Sequence, residues 1–455
     1  MLTTLYHQHV AQKLDLFQDI LLSTGYSEMI IASGNPRLQF QDDIAYPFKA
    51  NPYFKEWLPL NKRPGCFLHL IAGHLKPRLY LLCTEDIWHT APQALPDNWG
   101  APFNIIEYET PDDLRPHLNI EGGEQAYIGE ANEFGLAPEH CNSQTLLNPI
   151  NYQRRSKTLY EQACVREANR LAAPAHQAAY QAFMEGASER GICAAYLNAC
   201  NQMESDMPYP IIAAINEHAA VLHHYRLDTK APEQKRSFLI DAGVDVNGYA
   251  SDISRTYAYD ENSEFADMVR VMDGKQDELV RAGQPDKSHI NLNLLSHLKI
   301  AEVLAEFNLI KVTPQTAVET GITKTFYPHS LGHYLGTNVH DKGGRLANSN
   351  GDSIAAPEQF PKLGNTTPIV KNQIHTIEPG LYFIPALLNK LRTTRESAMI
   401  NWNRVDAFIP YGGIRIEDNI IVHDDGRLEN LTRNAFAQPA DTQEPAPAAV
   451  LSTAL

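Results

Sequence analysis

The chain has 455 residues, more than one ordinary hydrophobic core accommodates, so we expect two domains. A hydrophobic content of 43% and a charged content of 20% are typical of a folded globular protein. The formal net charge of −16 argues against a nucleic-acid partner, because phosphate contacts need clustered lysines and arginines. No segment approaches the roughly 20 apolar residues of a membrane span, and the first residues lack a signal-peptide pattern. The scattered cysteines include no CxxC pair, which favours reduced thiols. These features together predict a cytoplasmic protein without membrane contact.

Residues 1–155 alternate helical and strand patterns, which predicts an N-terminal α/β domain. Two apolar runs separated by Gly73 and Pro77 predict a pair of strands within residues 66–83. The apolar run at residues 102–109 predicts another strand.

The pattern changes at Ser156 to one long helix that continues past Pro174, and a second helix follows directly. This change places the predicted boundary of a second domain, over residues 156–437. Every chemically informative motif lies in that second domain. Residues 438–455 are rich in alanine and proline and are predicted to form a disordered tail.

A hairpin carries the first two candidate metal ligands. Asn247-Gly248 lies between two alternating runs and predicts a two-residue turn, because both positions need positive φ. Counting outward from the turn, Asp241 faces Ser254, and Asp252 lies on the same face as Asp241. Such diagonal neighbours are about 7–8 Å apart, close enough to converge on cations. On this segment alone, two aspartates flanking a solvated hairpin are the more common interpretation.

Three histidines follow within a short glycine-containing segment: His329, His333 and His340. A single histidine is more often a hydrogen-bonded core or surface residue than a metal ligand. Gly332 and Gly336 favour a ligand here, because glycine lets the backbone approach a crowded site closely.

Two glutamates complete a candidate metal set. Glu378 ends a strand just before Pro-Gly, and Glu417 shares a strand face with Arg415. An exposed ion pair is the alternative for Arg415 and Glu417. Four carboxylates and one imidazole favour Mn²⁺ or another hydrolytic divalent ion over a thiolate zinc site, and no HExxH motif is present. Two ions about 3.5–4 Å apart lower the pKa of a bridging water and polarise a carbonyl.

The order and spacing of these segments resemble the creatinase and aminopeptidase, or pita-bread, superfamily. The resemblance rests on Asp, Asp eleven residues later, His in HxxGH, Glu in EPG and Glu in RIED, which are Asp241, Asp252, His333, Glu378 and Glu417. Within that superfamily the chain is similar to the bacterial Xaa-Pro dipeptidase (prolidase) group and to organophosphorus acid anhydrolase. The likeness reaches about residue 435 and includes the run DDIAYPFKANPYFKEWLP at residues 42–59.

The resemblance implies an α+β fold with an N-terminal α/β, creatinase-like domain. It implies a C-terminal pita-bread metallopeptidase domain with a curved antiparallel sheet. It further implies hydrolysis of Xaa-Pro dipeptides by a hydroxide activated by two divalent metal ions, in a homodimer. We expect Mn²⁺, with Co²⁺ or Zn²⁺ as alternatives. Aminopeptidase P-like action on longer peptides, organophosphate hydrolysis and, less favoured, a non-catalytic binding role stay open.

The resemblance also implies roles for individual residues. Glu378 corresponds to a metal ligand that shuttles a proton to the leaving nitrogen, and His340 to a residue that stabilises the tetrahedral intermediate. Arg415 corresponds to a residue behind the metal ligands that contacts substrate. The residues at substrate-pocket positions are Tyr209, Leu222, His223, His289, His329 and Val339.

Two departures from the prolidase pattern affect recognition of the substrate carboxylate. Gly364 and Thr367 stand where the group carries arginines, and His289 replaces a tyrosine. Losing a charged contact to a carboxylate weakens binding by roughly 1.5–3 kcal/mol. His289 or Lys371 is therefore a candidate for a substitute cation.

Overall fold

The computed structural model describes residues 2–84, 87–88, 90, 92–114, 125–130 and 134–438. Its α-helices are α1 Leu2–Thr24, α2 Pro52–Lys55, α3 Asp97–Gly100, α4 Pro111–Leu114, α5 Gln144–Gln153, α6 Leu159–Glu185, α7 Glu189–Cys200, α8 Glu264–Ala282, α9 His289–Glu306, α10 Pro314–Glu319, α11 Thr323–Phe326, α12 Pro385–Arg392, α13 Trp402–Phe408 and α14 Leu431–Phe436. Its strands are β1 Glu28–Ala32, β2 Phe67–Ile71, β3 Arg78–Leu82, β4 Asn104–Tyr108, β5 Gln125–Ile128, β6 Ile212–Ile215, β7 Ser237–Ala242, β8 Asp245–Val246, β9 Tyr249–Ala250, β10 Ile253–Ala258, β11 Ile374–Ile377, β12 Gly380–Tyr382, β13 Gly413–Arg415, β14 Asp418–Val422 and β15 Leu428–Asn430. Apart from Gln438, the predicted tail lies outside the described residues.

The N-terminal half is built on a five-stranded sheet of order β4-β3-β2-β1-β5. The strands predicted within residues 66–83 and 102–109 are confirmed as β2, β3 and β4. Both faces of β1 are buried: Met29 packs in the core that contains α1, whereas Ile30 packs in a second core on the other face. Successive strand residues point to opposite faces, and both faces are buried, so the sequence of β1 is a continuous apolar run after Glu28.

The long helix predicted from Ser156 is confirmed as α6, which continues through Pro174. It begins with a capping box, in which the Thr158 hydroxyl accepts from the Glu161 backbone N–H and the Glu161 carboxylate accepts from the Thr158 N–H. It ends at Gly186, whose φ of 96° is accessible to glycine without strain. This helix packs against α1, α7 and α14 and so lies between the two halves of the chain.

The second half contains antiparallel sheets of order β10-β7-β6 and β11-β14-β15, with the short pairs β12-β13 and β8-β9. The predicted hairpin is confirmed, with Asn247 at φ 52° and Gly248 at φ 86°. Asp241 on β7 pairs with Ser254 on β10, in the predicted register. A further bridge joins Ser254 to Glu417, so the β13–β14 segment lies beside β10.

The two halves share a hydrophobic core and buried ion pairs. Trp57, Tyr160 and Leu335 belong to one continuous core cluster. Asp341, which follows the histidine-rich segment, accepts from Arg154 at 2.6 Å and from Lys157 at 2.8 Å. Both cations precede α6, so the segment that carries the histidines is anchored by the chain between the halves.

Candidate metal centre

β-Sheet register sets the positions of Asp241 and Asp252. Asp241 lies on β7 opposite Ser254, and Asp252 directly precedes β10. The Asp252 N–H donates to the Asn419 side-chain oxygen at 3.1 Å, which ties the start of β10 to β14. Both aspartates consequently face the same side of the joined sheets.

His333 and Glu378 meet because their two segments run side by side. The Thr376 N–H donates to the His333 carbonyl at 2.9 Å, and the Glu378 N–H donates to the Leu331 carbonyl at 2.8 Å. His333 Nε2 lies 3.2 Å from Asp252 Oδ2 and 3.7 Å from Glu378 Oε1. His333 Nδ1 lies 3.0 Å from the Tyr334 carbonyl. In the neutral imidazole with its proton on Nδ1, that N–H donates to the carbonyl. The other nitrogen, Nε2, is then unprotonated and can bind a cation.

Glu417 is the most buried of the candidate ligands, at 2% exposure. Its N–H donates to the Ser254 carbonyl at 3.0 Å, and the Ser254 hydroxyl donates to Glu417 Oε2 at 2.8 Å. Arg415 donates to Asp241 Oδ2 at 2.7 Å, to the Ser254 hydroxyl at 2.9 Å and to the Tyr382 hydroxyl at 3.0 Å. The guanidinium therefore fixes the orientation of Asp241 from behind the cluster.

All the predicted ligands converge in overlapping groups whose ligand atoms lie within 4.8 Å of one another. The groups are Asp241–Asp252–Glu417, His333–Glu378–Glu417 and Asp252–His333–His340. His340 thus lies beside the cluster, although the sequence predicted for it a catalytic role rather than a ligand role.

The electrostatics of the cluster call for cations. Burial and neighbouring carboxylates raise the pKa of Glu378 to about 8 and raise the pKa of Glu417 and of Asp241 above their usual ranges. Burial lowers the pKa of His333, but Asp252 and Glu378 outweigh it and raise that pKa to about 9. Asp241 Oδ1 is buried without a hydrogen-bond partner. Divalent ions would relieve both the repulsion and the unpaired oxygen, so the residues present fit a site for hard divalent cations.

A cavity of about 370 Å³ opens beside the cluster. Six of the predicted pocket or catalytic residues line it: Leu222, His223, His329, His340, Glu378 and Arg415. His329 Nε2 lies 2.8 Å from the Tyr382 hydroxyl, and burial lowers the pKa of His329 to about 3, so its imidazole is neutral at neutral pH.

Three predicted pocket residues lie outside the described lining of this cavity. Tyr209 is partly buried near Asp241 and Asp252, and desolvation together with their charges raises its pKa. Val339 lines a neighbouring cavity of about 290 Å³ with Lys49 and Lys55. His289 lines a small adjoining cavity that Asn365 also borders.

Neither of the predicted substitute cations suits the role. Burial lowers the pKa of His289 to about 4, so it carries no charge at neutral pH. Lys371 lines a different cavity, beside Tyr152 and Arg155. Thr367 is buried, with its hydroxyl 2.6 Å from the Tyr334 hydroxyl, whereas Gly364 lines the metal-side cavity.

Lys362 and Asn365 are among the lining residues that the sequence did not indicate. They flank Gly364 on an irregular loop, where neither helical nor strand periodicity indicates which side chains turn inward. Their only sequence signal is proximity to the departure at Gly364.

A second cluster, Glu189–His218–His224, was also missed. Glu189 accepts from His218 and from His224 at 2.8 Å each, and from the backbone N–H groups of Ile215 and Asp228. Since each carboxylate oxygen already has two donors, the cluster is a satisfied hydrogen-bond network. It supports the loop that carries Leu222 and His223 into the cavity.

None of the described helices is long and apolar enough to cross a bilayer.

Known families match both halves of the chain. The model of metallopeptidase family M24 matches residues 163–424, and that of the Xaa-Pro dipeptidase N-terminal domain matches residues 4–152. The chain is 44% identical over 435 residues to a Xaa-Pro dipeptidase of Pseudoalteromonas translucida, covering 95% of this chain and 98% of the relative. Its identity to the Xaa-Pro dipeptidase of Pseudoalteromonas haloplanktis is 45%, with the same coverage of both chains.

Solved structures of aminopeptidase P from Escherichia coli share the fold. The complex with the inhibitor Pro-Leu superposes with a TM-score of 0.71 at 20% identity, covering 96% of this chain and 97% of that one. The zinc-substituted enzyme with product gives a TM-score of 0.70 at 19% identity, with the same coverage. The expected pita-bread architecture is thereby confirmed. Sequence and fold together place the chain in metallopeptidase family M24, in the group that carries the Xaa-Pro dipeptidase N-terminal domain.

Proposed function

We propose that this protein hydrolyses Xaa-Pro dipeptides in a metal-dependent reaction. The observation that carries the proposal is the convergence of four carboxylates and one imidazole beside a substrate-sized cavity. Relatives that match almost the whole chain are named Xaa-Pro dipeptidases, which supports this substrate class over longer peptides. The likeness to aminopeptidase P is one of fold at low identity and does not favour activity on longer peptides.

The residues proposed to hold two divalent ions are Asp241, Asp252, His333, Glu378 and Glu417. The oxygen-rich set favours Mn²⁺, with Co²⁺ and Zn²⁺ as alternatives. When bound, the ions would supply Lewis-acid polarisation of the scissile carbonyl and a lowered pKa for an attacking water.

The chain's own groups orient the substrate and move the proton. Glu378 lines the cavity, and its proposed role is to take a proton from the attacking water and pass it to the proline nitrogen. His340 lines the same cavity and would donate a hydrogen bond to the developing oxyanion. Arg415 holds Asp241 and Tyr382, so its proposed role is to keep the ligand set oriented and to close one wall of the cavity.

The Glu378→Gln variant tests the proton-transfer role. Removing the carboxylate should lower kcat on Xaa-Pro dipeptides by at least about 100-fold while the fold is retained. The measurement is steady-state hydrolysis with Mn²⁺ supplied, alongside metal content and thermal unfolding. Glu306→Gln, an exposed change at the end of α9, is the matched control and should retain full turnover. Turnover by Glu378→Gln near that of the control would refute the role.

The substrate class has its own test. Xaa-Pro dipeptides, their C-terminally extended forms and a phosphotriester should be compared with Mn²⁺, Co²⁺ and Zn²⁺. We expect the dipeptides to be the best substrates. Failure on all of them would overturn the proposed function, and failure to bind any divalent ion would favour a binding protein.

The family resemblance and the cysteine chemistry also suggest an assembly and a cellular location. We propose a homodimer that acts on small peptides in the cytoplasm. All the cysteines are free thiols, which supports a reducing compartment. The elution volume on size exclusion with light scattering tests the dimer.

A further inference from the structure

Among the described residues that line the cavity beside the metal cluster, Lys362 is a cation without a partner. Among these residues, Lys362 and Arg415 are the lysine and arginine side chains. Each of the three Arg415 nitrogens already donates one hydrogen bond, to Asp241, Ser254 or Tyr382. The Lys362 ammonium, which is solvent-exposed, makes no ion pair or hydrogen bond within the part of the chain that the structure describes. It is therefore free to meet an anionic group of a ligand.

A second unpaired donor lies three residues further along. Asn365 is 4% exposed, lines the same cavity, and its Nδ2 is buried without a hydrogen-bond partner. A buried amide N–H without an acceptor costs stability, so such groups in native proteins normally meet a partner. A carboxylate oxygen of a bound ligand is an acceptor of the required kind.

The loop that carries these donors is held rigidly. Arg345 donates to the Leu363 carbonyl through Nε at 2.9 Å and through Nη2 at 2.6 Å. The Thr366 N–H donates to the Gly344 carbonyl at 2.8 Å. Between the two donors, Gly364 has no heavy atom within 4 Å of the position a Cβ would occupy. The backbone at Gly364 is therefore uncovered on the side where a Cβ would stand.

We propose that Lys362 Nζ and Asn365 Nδ2 bind the free C-terminal carboxylate of the dipeptide substrate. The inference rests on the proposed function and adds the residues that would make this chain prefer a dipeptide over a blocked or extended peptide. An ammonium and an amide N–H are complementary to the two oxygens of a carboxylate. Binding at this rim leaves the peptide carbonyl to reach the cluster of carboxylates deeper in the cavity.

A simpler account would satisfy Asn365 with water. The small cavity that Asn365 shares with His289 has a volume of about 10 Å³, which is roughly the space of one water molecule. Water there would leave Asn365 without a role in substrate recognition. The two accounts differ in the effect of Lys362 and Asn365 substitutions on substrates with and without a free carboxylate.

The experiment compares a Xaa-Pro dipeptide with the corresponding Xaa-Pro amide, using the metal-loaded protein. Lys362→Gln should lower kcat/KM for the dipeptide about tenfold, mainly through KM, and leave the amide unchanged. Lys362→Glu should lower it further, and Lys362→Arg should retain most of the preference. Asn365→Asp places a carboxylate opposite the carboxylate of the dipeptide, so repulsion between them should also reduce the preference for the dipeptide. Its thermal unfolding shows whether it is folded, and the Lys362 series decides the matter without it.

Two further lysine variants complete the design. Lys390→Gln, an exposed change on α12, is the matched control and should keep both activities. Lys371→Gln tests the other candidate cation, and a selective loss of dipeptide activity there would overturn the inference. Equal activity of Lys362→Gln and the unmodified protein on the dipeptide would also overturn it. If the unmodified protein hydrolyses neither substrate, the proposed function fails instead, so the two failures are distinguishable.

Discussion

The absence of a side chain at position 332 lets the His333 segment lie against β11. A Cβ on Gly332 would stand 2.0 Å from the Thr376 carbonyl oxygen, far inside van der Waals contact. Gly332→Ala must therefore push the segment away from the strand and move the imidazole. We expect the affinity for Mn²⁺ to fall at least about tenfold, as for other changes that disturb the support of a metal ligand. Calorimetric titration of the metal-free variant measures it.

Gly274 provides the matched control. This glycine is exposed on α8 and has no heavy atom within 4 Å of its would-be Cβ. Gly274→Ala should bind Mn²⁺ like the unmodified protein. Equal loss of affinity in both variants would show that the close approach at Gly332 is not what positions the ligand.

The positions of single residues could be predicted where neighbouring residues in the sequence determine them. Asn247-Gly248 fixes a turn, and the turn fixes the pairing of Asp241 with Ser254 by counting. The place of Glu417 beside Ser254 is not local, because it depends on a bridge between segments 163 residues apart. Lys362 was missed for the same reason: its relevance comes from the cavity that its loop borders, and no periodicity encodes that.

At the scale of elements, the first residue of α7 holds the loop that forms one wall of the cavity. Glu189 accepts four hydrogen bonds from that loop and from the end of β6. In Glu189→Gln one oxygen becomes an NH₂ group that faces donors, so the loop with Leu222 and His223 should loosen. We expect KM for a Xaa-Pro dipeptide to rise several-fold while kcat stays within about twofold.

Steady-state kinetics and metal analysis check this prediction together. Metal content should not change, because the Glu189 network is separate from the ligand set. Glu306→Gln, already described, controls for the loss of one negative charge. A fall in kcat with unchanged KM would contradict a purely positioning role for Glu189.

Elements were predicted better than their arrangement. The apolar periodicity of α6 and its N-terminal capping residues are contained in the helix itself, and the helix lies where it was predicted. The small cavity that contains His289 arises only when the start of α9 packs beside β11. Burial there removes the charge of His289, which the sequence alone presents as a candidate cation.

At the scale of the whole molecule, the carboxylate cluster makes stability depend on metal and pH together. In the metal-free protein, burial and the neighbouring carboxylates raise the pKa of Glu378 from its ordinary 4.5 to about 8, so the folded chain holds a proton that the unfolded chain releases. Stability therefore falls as pH rises from about 4.5 through about 8. The raised pKa of His333, about 9, acts in the same direction, because its contribution is lost as pH rises through that value.

Bound metal replaces these protons, so loaded protein should be far less sensitive to pH. We expect the gap in melting temperature between Mn²⁺-loaded and chelator-treated protein to be wider at pH 8.5 than at pH 6. Metal in hundredfold excess over its dissociation constant adds about 2.7 kcal/mol to the free energy of unfolding. Scanning calorimetry at both pH values measures the gap, and a gap that narrows with rising pH would refute the proposed linkage.

The buried ion pairs of Asp341 link the second half of the chain to residues that precede α6. The match to metallopeptidase family M24 begins at residue 163, after both Arg154 and Lys157. A fragment cut at that point would carry Asp341, the neighbour of His340, without either counter-ion. Leaving a buried charge unpaired in this way costs about 3–5 kcal/mol, a large share of the stability of a domain. The catalytic half is therefore not an exchangeable module, and gene fusion or recombination near α6 would conserve activity only if the crossover lies ahead of Arg154.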